Sequence, residues 1–130
     1  MSGQFIDEKV AQFIIENIDS IAQLEALLLL RKNQKTAWNV STVAGWLYID
    51  ETQTAELLMS LCQRGFAAQR EEEPSLYQYQ PSSNELREKV DQVAELYSKH
   101  LIAVTHLVHS KPKSRIQEFA NAFNFRKDTQ

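Results

Sequence analysis

The order of elements between Val43 and Tyr79 constrains this chain more than any other feature. Val43-Ala44-Gly45-Trp46-Leu47 is a short apolar run, and Tyr48-Ile49-Asp50 makes a tight corner after it. Asp50 is suited to accept from a free backbone N–H at the next helix start, and Glu51 suits the positive end of that helix. Leu57, Leu58, Leu61 and Cys62 recur at helical spacing, so Glu51 to Arg64 is predicted as a helix with one apolar face. Gly65 stops it, because glycine takes the left-handed conformation that commonly ends a helix. Phe66 to Arg70 and Leu76 to Tyr79 are β-prone runs on either side of the acidic loop Glu71-Glu72-Glu73-Pro74-Ser75. The expected architecture is therefore mainly α with a small β-hairpin.

The flanking sequence extends the helical count. Ile6, Val10, Phe13 and Ile14 place one apolar face on a helix from Asp7 to Ile18. Ser20 and Gln23 form a capping-box pattern ahead of the stripe Ile21, Leu24, Leu27 and Leu28, and Arg31 and Lys32 close that helix at its negative end. Asn33 to Asn39 reads as a polar connection interrupted by Trp38, with Asn39 or Ser41 as the cap of the short helix that follows. After Pro81, Ser83 or Asn84 caps a long helix predicted to reach about Ser110. Its apolar residues, Leu86, Val90, Val93, Tyr97, Leu101, Val104 and Val108, approximate a heptad seam with one stutter. Lys111-Pro112 ends it. A last amphipathic helix follows Ser114, with Ile116, Phe119, Ala120 and Phe123 on one face.

A chain of 130 residues fits one domain, or one domain with an appended dimerisation element. The organisation expected is an N-terminal helix over 1–19, a central unit over 20–81 and a dimerisation region over 82–130. The one cysteine, Cys62, rules out an internal disulfide and a cysteine-based zinc site. No N-terminal stretch has the pattern of a signal peptide, and the apolar run Ala26 to Leu30 is too short to cross a bilayer, which points to a cytoplasmic protein without membrane contact.

The run Val43 to Asp50, then Leu57, Leu61 and Arg64-Gly65-Phe66, resembles the winged helix-turn-helix superfamily of bacterial transcriptional regulators. The resemblance covers Ser20 to Tyr79, and the long helix beyond is similar to the dimerising helix of phenolic-acid-responsive regulators. It implies a homodimer that presents the Glu51–Arg64 helix to the major groove of double-stranded DNA and the hairpin beside it. On that reading Thr52, Gln53, Thr54 and Arg64 meet DNA from the reader helix, Gln53 being able to pair with adenine. Arg31, Lys32 and Lys35 lie where a loop touches phosphate, and Arg70 stands beside the wing. Val93, Tyr97, Leu101, Val104 and Val108, with Phe119 and Phe123, line the expected dimer interface.

Two features depart from that pattern. The reader helix has no Arg or Lys before Arg64, and the wing tip Glu71-Glu72-Glu73 is acidic where a groove-entering wing carries cations. Formal net charge is −3, although the balance is uneven: five acids and one base precede Arg31, and six bases and two acids follow from Lys99 onward. Phosphate contacts supply most non-specific affinity, so binding DNA requires a local basic surface. The alternative is a winged-helix adaptor that keeps the scaffold and binds a protein partner; the acidic tip then either faces that partner or serves as a solvated turn.

Other chemistry finds little support. His106 and His109 share a helix face, but no acid or thiol nearby completes a metal site. No phosphate-binding glycine loop, nucleophile elbow or Ser/His/Asp set occurs, so neither an enzyme nor a cofactor is expected. Trp38, Trp46, Tyr77 and Tyr79 either pack the core or line a ligand cavity beside the long helix, and core packing is the reading adopted.

Overall fold

The computed structural model describes residues 8–110. Short polar side chains start four of its helices. Ser20 Oγ accepts from the N–H of Gln23 at 3.0 Å, Asn39 Oδ1 from Thr42 at 2.7 Å, Asp50 Oδ1 from Gln53 at 2.6 Å and Ser83 Oγ from Leu86 at 3.0 Å. Each satisfies one of the donors that a helix start leaves without a partner. The helices so begun are α2 (Ile21–Lys32), α3 (Val40–Leu47), α4 (Glu51–Gln63) and α5 (Asn84–Lys99), with α1 (Glu8–Asn17) before them and α6 (Leu101–Ser110) after. Between α4 and α5 lie β1 (Ala67–Gln69) and β2 (Tyr77–Tyr79).

The strands pair antiparallel in the register Ala67 with Tyr79, Ala68 with Gln78 and Gln69 with Tyr77. A third segment joins them. Trp38 exchanges both backbone hydrogen bonds with Tyr77, at 2.7 and 2.8 Å, so the supposed polar connection supplies an edge to the small sheet. β2 is thereby flanked on both sides, and its Tyr77 and Tyr79 are buried.

One core joins all the helices but α3's outer face. Val10, Ile14 and Ile18 from the first segment meet Leu24, Leu27 and Leu30 of α2, Leu58 and Leu61 of α4, and Val90 and Val93 of α5. Phe66 sits at the centre, fully buried, with the Phe13 ring edge-on at 6.0 Å.

The long C-terminal helix is two helices in succession. His100 leaves helical geometry with φ −133° and ψ 54°, and α6 packs against α1 and α2. Arg31 meets Asp91, and Glu25 meets Tyr97, so α5 runs antiparallel to α2 along its outer side. Val104 and Val108 are buried in the same core as Val93. Across the break the buried stripe resumes at Val104 and Val108, while Leu101 faces outward and is 52% exposed.

Gly65 closes α4 with φ +85°, and a Cβ there would sit 2.8 Å from Ser82 Oγ. A side chain in this region costs about 1–2 kcal/mol. Gly45, in the interior of α3, has nothing within 4 Å of the equivalent position. Gly65→Ala is thus expected to lower stability by about 1–2 kcal/mol, while Gly45→Ala raises it by about 0.5–1 kcal/mol. Urea unfolding of the two variants reads both signs.

Candidate nucleic-acid interface

The corner between α3 and α4 is built on an uncommon backbone choice. Tyr48 takes the left-handed conformation, φ 58° and ψ 42°, at the end of α3, and its ring is 92% exposed. Glycine usually occupies such a position because it lacks the Cβ clash. The tyrosine does so here and projects into solvent. Two residues earlier, Trp46 is 63% exposed. Trp46 is therefore not a core residue, which corrects the grouping of the four aromatics; Trp38, Tyr77 and Tyr79 are buried as expected.

α4 presents Glu51, Thr52, Gln53, Glu56, Met59 and Gln63 outward. Thr54 is not among them. It is fully buried, and its hydroxyl donates to the Asp50 carbonyl at 2.8 Å, so it cannot reach a ligand. Position 54 lies on the same side as Leu58 and Leu61, one turn and two turns on, and the helix period places it inward.

The arginines proposed for DNA are each held within the chain. Arg64 Nη2 donates to Asp19 Oδ2 at 2.9 Å and Nη1 to the Glu16 carbonyl at 3.2 Å, which ties the end of α4 to the α1–α2 corner. Arg31 Nε meets Asp91 Oδ1 at 2.9 Å. Arg70 Nη1 donates to Gln78 Oε1 at 2.9 Å, and its Nε lies 3.9 Å from Glu72. Lys32 and Lys35 are exposed and form no ion pair among the described residues. Glu71, Glu72 and Glu73 at the wing tip are all exposed.

The residues named for a dimer interface divide. Val93, Val104 and Val108 are buried inside this chain and have no surface to offer a second copy, which corrects their assignment. Tyr97 donates its hydroxyl to Glu25 Oε2 at 2.6 Å; partial burial and that carboxylate push its pKa up to about 12. Leu101 is outward, with Ile102 beside it at 81% exposed. Phe119 and Phe123 lie outside the described residues.

Several contacts had no clear sequence signal. Gln23 is buried; its Oε1 accepts from the Asp19 N–H at 2.6 Å while its Nε2 donates to Ser60 Oγ at 2.9 Å, locking α2 to α4. Arg87 lies over the Tyr79 ring at 5.4 Å and donates to Gln34 Oε1 at 3.2 Å. Its cationic head is thus taken up by the wing sheet and the α2–α3 connection. Burial raises the Cys62 thiol above its ordinary value, which lowers its thiolate fraction. Among the described residues, no three of His, Cys, Asp and Glu gather as a metal site would need, and no helix is long and apolar enough to cross a membrane.

The arrangement of helices and hairpin is similar overall to that of a solved structure. A point mutant of S. aureus MepR superimposes with a TM-score of 0.50 at 15% identity, covering 95% of this chain and 89% of that one. The fold is a winged helix. No family model matches the chain, and no curated protein does. In winged-helix terms α4 holds the position of the recognition helix and the β1–β2 turn that of the wing; the outward residues of the two make up what is called the recognition face of this fold.

Proposed function

We propose that this chain is a winged-helix regulator that acts through contact with a protein at its recognition face. One observation carries the reading. Between Val40 and Tyr79 there are six acids, Asp50, Glu51, Glu56, Glu71, Glu72 and Glu73, against two bases, Arg64 and Arg70. Both bases are bonded to neighbours within the chain. A DNA backbone brings one negative charge per about 1.7 Å of duplex, and affinity for it comes largely from cations that displace counterions. A face with exposed carboxylates and no uncommitted cation repels it. Hydrogen-bonding residues such as Thr52 and Gln53 read bases only after phosphate contacts have set the register.

A second reading is a homodimeric DNA-binding transcriptional regulator. It is supported by the likeness to MepR, a winged-helix regulator, and by the exposure of Thr52 and Gln53 together with the unpaired Lys32 and Lys35. Two copies would then pair through Leu101 and Ile102 on α6 and through Phe119 and Phe123 beyond it. Passage of the purified chain over heparin and capture of fragmented genomic DNA separate the two readings. The protein-contact reading expects flow-through and no enrichment. Enrichment of discrete sites, abolished by Lys32→Glu with Lys35→Glu, would establish the DNA reading in its place.

A further inference from the structure

The surface between α2 and α3 carries a cluster of large apolar side chains. Leu28 and Leu29 floor a groove of about 240 Å³ between α2 and α3, walled by Leu47 and Trp46. Glu25 and Lys32 stand on the same side, two turns apart. Trp46 covers little of the groove and gives most of its ring to solvent, and Tyr48 extends the apolar surface past the end of α3. A neighbouring opening is lined by Thr42, Gly45, Trp46 and Tyr48, so Trp46 borders both. Aromatic side chains presented this way are the residue types that anchor protein interfaces, where one or two buried aromatics carry most of the affinity.

The charge around these anchors indicates what would cover them. Asp50 and Glu51 lie two and three residues after Tyr48, and Glu56 is exposed further along α4. The groove's own lining holds one acid, Glu25, and one base, Lys32. Complementary potentials steer association and discriminate among partners. A segment of net positive charge with one apolar face satisfies both the apolar groove and the acids that begin α4 after the corner, as amphipathic helices do in hydrophobic grooves.

We propose that the α2–α3 groove and the Trp46–Tyr48 corner dock a cationic amphipathic helix of a partner protein, its apolar face on Trp46 and its bases toward Asp50, Glu51 and Glu56. This deepens the protein-contact reading above and rests on it.

The test uses a short synthetic helix of leucine and lysine, with a serine–lysine helix of equal charge and a leucine–glutamate helix as counterparts. The chain's two tryptophans make binding visible, because Trp38 is buried and Trp46 is not. The leucine–lysine helix is expected to bind the full-length chain and shift its emission to the blue. Trp46→Ala should weaken binding about 10-fold or more. Trp46→Phe should keep most of the affinity while abolishing the shift. Lys32→Glu should tighten binding, since it removes the positive charge that lines the groove. Equal affinity for the serine–lysine helix, or no loss with Trp46→Ala in a chain whose circular dichroism is unchanged, would overturn the proposal. So would a wild-type dimer that Trp46→Ala dissolves, which makes a second copy the occupant. Preference for the leucine–glutamate helix overturns the partner's charge and leaves protein contact standing. Salt-sensitive capture of duplex DNA, lost with Lys32→Glu, instead overturns the reading beneath it.

Discussion

Phe66→Ala is expected to lower the free energy of unfolding by about 3–5 kcal/mol, the range found when a buried aromatic is truncated. The residue has no exposed surface and is the largest of the fully buried side chains. It joins α4 to the wing: its N–H donates to the Leu61 carbonyl at 2.9 Å, and its carbonyl accepts from Gln80 at 3.0 Å. Its ring meets Phe13 edge to face across the α1 packing surface. Truncation leaves a cavity bounded by a strand, a helix end and α1, which cannot all move inward together. The backbone bonds on either side fix the Cα and limit relaxation. Domains of this size are stable by about 5–15 kcal/mol in total, so the variant should lose about a fifth of its stability or more. The urea midpoint should fall accordingly with little change in slope. A loss below about 1 kcal/mol would mean that the wing is not packed on the core as described.

Val104→Asp should abolish cooperative folding or cost more than about 3 kcal/mol, at every protein concentration. Val104 is fully buried where α6 meets α1 and α2. An ionised carboxylate placed there has no partner, and burying an unpaired charge is among the most costly single changes. The neighbours make the result informative. Leu101→Asp and Ile102→Asp alter residues on the outward side of the same helix, and their effect within one chain should stay within about 0.5 kcal/mol. If Val104 instead lined a seam between copies, Val104→Asp would yield a folded monomer, and stability would depend on concentration in the wild type alone. Sedimentation and thermal unfolding across a range of concentrations separate these outcomes.

The local elements were legible because their signals are local. Ser20, Asn39, Asp50 and Ser83 each cap the helix that follows, and each signal lies within three residues of the N–H it satisfies. Gly65 and the hairpin follow from backbone preferences that neighbours do not override. The break at His100 is of a different kind. Neither proline nor glycine marks it, and the heptad-like spacing around Tyr97 fits a continuous seam as well as a buried stripe that passes from Val93 to Val104. Packing on α1 and α2 decides the matter. Periodicity shows that one face is apolar but does not say which chain covers it.

The recognition face was legible in composition and opaque in commitment. The lack of bases on α4 and the acidic tip could be read directly. That Arg31 is spent on Asp91, sixty positions away, and Arg64 on Asp19, forty-five away, could not, since such pairs depend on how α1, α2 and α5 converge. Thr54 was misplaced because a polar residue beside the helix start suggests an outward side chain. Its bond to the Asp50 carbonyl lets the hydroxyl be buried without loss. Trp38 entered the sheet through its backbone, which its side chain does not announce. Trp46 reached the surface because the inner positions of α3 are taken by Val43 and Ala44.

Among the described residues, α4 and the wing carry no cation without an intrachain partner, and salt dependence tests the consequence most directly. A fluorescent mixed-sequence duplex is titrated with the full-length chain over a series of salt concentrations, and the logarithm of the association constant is followed against that of salt. Each phosphate neutralised contributes a slope of about −0.9. The structure predicts no measurable association at low salt, or a slope between zero and about −2 from Lys32 and Lys35 alone. A slope of about −5 or steeper, with tight binding near physiological salt, would contradict it.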